Sequence, residues 1–222
     1  RLLKNHIPNL PTKHKPALPR EELPEFYRRL ILATNIERQN KIAIMLIMLV
    51  FVRSNELRGG QWQEVDFKNK RWIIPAERMK HEKMKPKPAL CVPLSDWAIE
   101  LLQELHTLTG HSRFMFPSRT NVNRHISENT LGKIINEKLG YKGKATPHGF
   151  RAVASSLLYE NNFNGGAIEI QLAHVEEDKT KDSYAYMAEY MPQRIEFMQW
   201  YSDYLREQYN QALQMIQESK TD

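Results

Sequence analysis

A mainly α fold with one small antiparallel β-sheet (α+β) is what this 222-residue chain predicts. Three observations carry that expectation. Apolar residues recur at helical spacing along most of the chain, short β-like segments are confined to one stretch between residues 62 and 94, and polar turns separate the segments. The length fits one large domain, or one domain with a tail, and suffices to bury a core.

Residues 1–20 hold Pro8, Pro11, Pro16 and Pro19 among Lys and His, a composition that resists helix and sheet, and are read as a linker from a preceding region. From Glu21 to Asn35, Leu23, Phe26, Leu30 and Ile31 fall on one helical face, with acids early and arginines late as the helix dipole favours. A single helix is expected over residues 38–57, carrying the apolar run from Ile42 to Val52. Trp62–Val65, Arg71–Ile74 and Ala89–Leu94 read as the strands, with Asp66 to Asn69 as a turn. Ser95 is placed to cap the next helix and Gly110 to end it. Further helices are expected near residues 127–139, 147–160, 166–174, 179–190 and 193–217, giving a domain over 21–205 and a helical tail over 206–222.

The 32 Lys and Arg outnumber the 26 Asp and Glu, for a net charge of +6, which favours a polyanionic partner. Cys91 is the single cysteine, so a disulfide framework and a Cys-rich zinc site are excluded within the chain, and a reducing cytoplasm suits it. The longest apolar run falls well short of the roughly 20 residues a membrane span needs, and no membrane role is expected.

Four stretches pair a reactive residue type with a sharp local change in character. Arg53 precedes Glu56 where the apolar helix turns polar, a spacing that ordinarily makes a surface ion pair. Pro75-Ala76-Glu77-Arg78-Met79-Lys80 leads into a basic turn with Lys83, Lys85 and Lys87, which reads otherwise as a solvated or phosphate-gripping loop. Pro147-His148-Gly149-Phe150-Arg151 sets His and Arg on one face if a helix starts at Pro147. The fourth runs from Leu172-Ala173-His174 to Tyr184, with Tyr186 and Tyr190 following; tyrosines on such a helix are mostly packing residues.

Taken in order, Arg, Lys, His-x-x-Arg, His and Tyr resemble the tyrosine recombinase family. The stretches Arg53-Ser54-Asn55-Glu56-Leu57-Arg58-Gly59, Pro75 to Lys80, His148 to Ala152 and Met198-Gln199-Trp200-Tyr201 are similar to those of prophage and genomic-island integrases. The resemblance spans residues 18–205 and implies a catalytic set of Arg53, Lys80, His148, Arg151, His174 and Tyr184, with Tyr186, then Tyr190, as rival nucleophiles and Lys83 as rival to Lys80. Two departures stand out. Most relatives carry Gly where this chain has Ala173, and many carry Leu in place of Phe150.

What the resemblance implies is DNA cleavage and rejoining without metal, ATP or other cofactor. Arg53 and Arg151 would clamp the phosphate, an arginine being planar, permanently charged and able to bond two oxygens at once. His148 would accept the proton of Tyr184, His174 would donate to a phosphate oxygen, and Lys80 would protonate the leaving 5′ oxygen. The product is a 3′-phosphotyrosyl enzyme that another 5′ hydroxyl can attack. The expected partners are double-stranded DNA attachment sites, a homotetramer on DNA, and accessory DNA-bending or directionality proteins, in the bacterial cytoplasm at the nucleoid. The alternatives are a type IB topoisomerase acting on one duplex and a catalytically idle DNA-binding or assembly module. Apolar positions of the final helix, Ile195, Met198, Tyr201, Leu205, Leu213 and Ile216, suit either a neighbouring protomer or the chain's own core.

Overall fold

The computed structural model describes residues 16–79, 88–174, 188 and 190–220. Helix α1 (Leu23–Leu32) opens with Pro24 in its first turn and buries Leu23, Phe26, Tyr27 and Leu30. Ahead of it, residues 16–20, read as the end of a linker, lie against the domain: Leu18 is buried, and the Pro16 carbonyl accepts a 3.3 Å bond from the Thr146 hydroxyl.

The expected helix over residues 38–57 is two helices, α2 (Arg38–Val50) and α3 (Ser54–Arg58). Phe51 adopts a left-handed conformation with φ of 35°, and its ring is buried edge-on against Tyr201 at 5.6 Å. The break frees main-chain carbonyls from the helical ladder. Side chains from elsewhere take them up: Gln171 Nε2 donates to Val50 O at 3.3 Å and Arg151 Nη1 to Phe51 O at 2.5 Å.

Strands β1 (Val65–Asp66), β2 (Arg71–Ile74) and β3 (Leu90–Pro93) form the antiparallel sheet in that order, with Val65 opposite Trp72 and Ile73 opposite Cys91. Trp62 to Glu64, expected as strand, is a 3₁₀ turn. The polar turn is fixed by Asp66, whose carboxylate accepts from the Asn69 N–H at 3.0 Å. Ser95 caps α4 (Asp96–Thr109) through the Ala98 N–H, as its sequence predicts.

A second hairpin, β4 (Pro117–Ser118) and β5 (Asn121–His125), was not expected from sequence. The helix expected at 127–139 is α5 (Thr130–Lys133) running into a π-helical turn over Ile134–Lys138. Helices α6 (Gly149–Glu160) and α7 (Gly165–Gln171) follow, and α8 (Met191–Glu218) closes the domain. The helix expected at 179–190 lies almost entirely outside the described residues.

Helix α8 packs on its own domain. Met198, Tyr201, Leu205 and Ile216 are buried, and Tyr209 meets Tyr27 and Trp97 edge-on at 5.5 and 5.4 Å. Ile195 and Leu213 stay exposed. Arg194, on the same helix, is fully buried and donates to the Cys91 carbonyl and, at 2.8 Å, to Gln171 Oε1, tying α8 to β3 and α7. Among the described residues no helix is long and apolar enough to cross a membrane.

Candidate active site

Three chain breaks meet at the site: the α2–α3 turn, the start of α6 and the end of α7. Arg53 is the N-cap residue of α3, extended at φ −72° and ψ 149°. Its N–H donates to Glu56 Oε2 at 2.7 Å and its Nη1 to Glu56 Oε1 at 3.1 Å. The pair is not the surface contact its spacing suggests, since Glu56 is 1% exposed and Arg53 18%. One carboxylate thus caps the helix and orients the guanidinium, whose Nη2 also reaches Ala173 O at 3.4 Å.

Arg151 sits in the first turn of α6 and is 4% exposed. Its Nη1 donates to Phe51 O at 2.5 Å and its Nη2 to Leu172 O at 2.6 Å, so it bridges the α2–α3 break and the end of α7. Burial, then the neighbouring Arg53 charge, lower its pKa to about 10. It stays cationic at neutral pH in an environment that disfavours the charge. An anion placed between the two arginines would relieve that cost.

His174 is presented by a Schellman turn. The His174 N–H donates to Glu169 O and the Ala173 N–H to Ile170 O, both at 2.9 Å. This geometry requires a left-handed residue, and Ala173 takes that place at φ 50°. The glycine that the family resemblance leads one to expect there would have a structural reason, and Ala173 holds the turn at a cost of about 1 kcal/mol. The imidazole Nδ1 lies 2.8 Å from Glu169 Oε2.

His148 is the N-cap residue of α6, so the helix starts at Gly149 and not at Pro147. Its carbonyl accepts the Arg151 N–H at 3.1 Å. The side chain is exposed and, with Ser54, Glu128, Asn129, Lys133 and Asn136, lines a polar cleft of about 540 Å³. Thr146 Oγ1 accepts from the Gly149 N–H at 2.9 Å and anchors this helix start. A Cβ on Gly149 would stand 2.1 Å from the Pro16 carbonyl, so only glycine lets residues 16 and 17 cross the helix start. Gly149→Ala should therefore destabilise the chain by about 1–3 kcal/mol in urea unfolding, whereas unchanged stability would show that this crossing is not needed.

The four described members of the predicted set, Arg53, His148, Arg151 and His174, thus gather at these three breaks. Lys80, Lys83, Tyr184 and Tyr186 lie outside the described residues. Tyr190, partly buried, is the N-cap residue of α8 at φ 57°.

Several supporting residues had no role assigned from sequence. Arg78, two residues before Lys80 in sequence, donates to the Glu64 carboxylate and to the Glu56 carbonyl, joining the 3₁₀ turn ahead of β1 to α3. Glu64 also accepts from Trp72 Nε1 at 3.0 Å. The position of Arg78 inside a recognised stretch was the one available signal; for Gln171 and Arg194 there was none.

A family model described as the phage integrase family matches residues 18–190. The integrase of Enterobacteria phage P4 is 36% identical over 220 residues, 94% of this chain and 50% of that protein. The integrase of Shigella phage Sf6 is 35% identical over 88% of this chain and 49% of that protein. The chain spans about half the length of these relatives. Among solved structures, XerA recombinase superposes with a TM-score of 0.56 at 19% identity, covering 91% of this chain and 66% of that one. The Tn1549 transposon integrase in complex with circular intermediate DNA gives 0.61 at 16% identity, covering 75% of this chain and 61% of that one. The folds agree, and with the family model spanning the described site residues, the chain belongs to the phage integrase family of tyrosine recombinases.

Proposed function

We propose that this chain is the part of a site-specific integrase that cuts and rejoins DNA through a 3′-phosphotyrosyl bond, integrating or excising a mobile element. The observation that carries this reading is the buried Arg151 beside Arg53: two cations held by main-chain carbonyls and one carboxylate, in an environment that favours a bound phosphate. The relatives are integrases, and the Tn1549 neighbour was solved with DNA. These names do not favour the topoisomerase alternative.

In this reading Arg53 and Arg151 hold the non-bridging oxygens and stabilise the charge that builds on them. Tyr184 attacks in line, His148 takes its proton, His174 donates to a phosphate oxygen and Lys80 protonates the leaving 5′ oxygen. The bond to phosphorus is exchanged and not hydrolysed, so a second 5′ hydroxyl restores the phosphodiester and frees Tyr184 without ATP. Double-stranded attachment sites are the substrate, with a homotetramer as the active assembly and accessory bending or directionality proteins beside it. The setting is the bacterial cytoplasm at the nucleoid. Residues 1–20 would connect a preceding DNA-binding region to a catalytic domain over 21–205, with the last of them already packed on that domain, and 206–222 would be a helical tail held against it through Tyr209 and Ile216.

A nicked duplex spanning the element's own junction traps the intermediate, because the cleaved strand loses the fragment that would reseal it. The chain and its Tyr186→Phe variant should give a protein–DNA adduct on a denaturing gel, Tyr184→Phe none, and Lys80→Ala a strongly reduced yield. An adduct from Tyr184→Phe at the normal level would overturn the assignment.

A further inference from the structure

We propose that Glu169 is a positioning residue for His174, holding its imidazole from Nδ1 so that Nε2 is the ring nitrogen left for a phosphate oxygen. The inference rests on the role given to His174 above and extends it to its partner on α7. Glu169 holds His174 twice. Its main-chain carbonyl accepts the His174 N–H at 2.9 Å, closing the turn at the end of α7. Its Oε2 lies 2.8 Å from His174 Nδ1. The backbone bond sets where the residue stands, and the side-chain bond sets which way the ring faces.

The chemistry follows from the two ring nitrogens. An ionised carboxylate only accepts, so the Nδ1 atom facing Glu169 must carry its proton. A neutral ring with its proton on Nδ1 offers only a lone pair at Nε2, and a ring protonated at both nitrogens offers an N–H there. Glu169 thereby disfavours the neutral tautomer with Nδ1 bare and leaves Nε2 as the ring nitrogen for a phosphate oxygen.

Glu169 is itself oriented. The Tyr159 hydroxyl on α6 donates to Glu169 Oε1 at 2.9 Å, so each carboxylate oxygen has its own partner. Gly165 makes room for this arrangement. A Cβ there would lie 3.1 Å from Tyr159 Cε1, tighter than ordinary contact. Tyr159, Glu169 and His174 form a line from α6 across α7 to the site. Half-exposed as they are, they are coupled less strongly than a buried relay would be.

Glu169→Gln tests the proposal, since it keeps an acceptor of the same shape and removes the charge. Three readouts separate the possibilities: nitrogen chemical shifts of the His174 ring in the DNA-free chain, thermal stability, and single-turnover cleavage of the nicked duplex at saturating protein, with His174→Ala alongside. The expected result is a protonated Nδ1 in the parent that becomes a mixture of tautomers in Glu169→Gln, with unfolding unchanged and cleavage slowed about tenfold or more at unaltered DNA affinity. Unchanged ring shifts in Glu169→Gln would overturn the inference directly. So would parent-like cleavage by Glu169→Gln where His174→Ala is slow, a result that leaves the role of His174 standing. Parent-like cleavage by His174→Ala would remove that role and this inference with it.

Discussion

Arg151→Met should lose DNA cleavage by at least a hundred- to a thousandfold, as removal of one preorganised donor to a developing oxyanion typically does, and should nevertheless remain folded. The side chain gives two short hydrogen bonds, to Phe51 O and Leu172 O. Bonds from a charged group are worth about 1.5–3 kcal/mol each. Against them stands the cost of a buried guanidinium whose pKa is lowered to about 10 by burial and by Arg53. That lowering from 12.5 opposes folding by on the order of 3 kcal/mol at every pH below about 10, and the penalty lifts only as pH rises past that value. The two effects are of similar size, so urea unfolding of Arg151→Met should fall within about 2 kcal/mol of the parent. Phosphate ion should raise the melting temperature of the parent more than that of the variant, because bound anion offsets the penalty only where the cation is present. Unimpaired cleavage by Arg151→Met would contradict its placement at the phosphate.

Glu56→Ala should be the more damaging change to the fold. Glu56 is buried and accepts from both the N–H and the Nη1 of Arg53. Its loss strips the start of α3 of its cap and leaves the Arg53 guanidinium without its carboxylate partner, beside Arg151. Removing one member of a buried pair typically costs about 3–5 kcal/mol. The loss of stability should shrink in the double variant with Arg53→Met, since the uncompensated cation is then gone. Equal losses in the single and double variants would show that Glu56 acts through the helix cap alone.

The legible parts of the fold are those where one local signal decides the structure. Ser95 and Gly110 bound α4 because a hydroxyl cap and a helix stop act within one turn. The break at Phe51 was not legible. The apolar run from Ile42 continues through it without Gly or Pro, and what stabilises it is distant in sequence: the Tyr201 ring and the Arg151 guanidinium. The β5 strand, Asn-Val-Asn-Arg-His, lacks apolar alternation, so its pairing with Pro117 and Ser118 left no pattern to find. Arg194 reads as surface on an amphipathic helix and is instead buried against Cys91 and Gln171.

The candidate site set came from the family resemblance and not from any one stretch alone. Arg53, His148, Arg151 and His174 are reactive residue types standing at abrupt changes of character, and in the fold those changes are chain breaks where freed carbonyls and helix ends meet. The supporting shell was not legible, because Glu64, Arg78 and Gln171 are common residues whose roles exist only once the chain has folded.

Peptide mapping of the trapped adduct tests the proposed bond between Tyr184 and DNA most directly. Trypsin and nuclease digestion should leave a nucleotide on the peptide from Asp182 to Arg194, which contains Tyr184, Tyr186 and Tyr190. Fragmentation of that peptide should place the phosphate on Tyr184, esterified to the nucleotide's 3′ oxygen, with a free 5′ hydroxyl on the released strand. A phosphate on Tyr186 or Tyr190, or a 5′ linkage, would contradict the account.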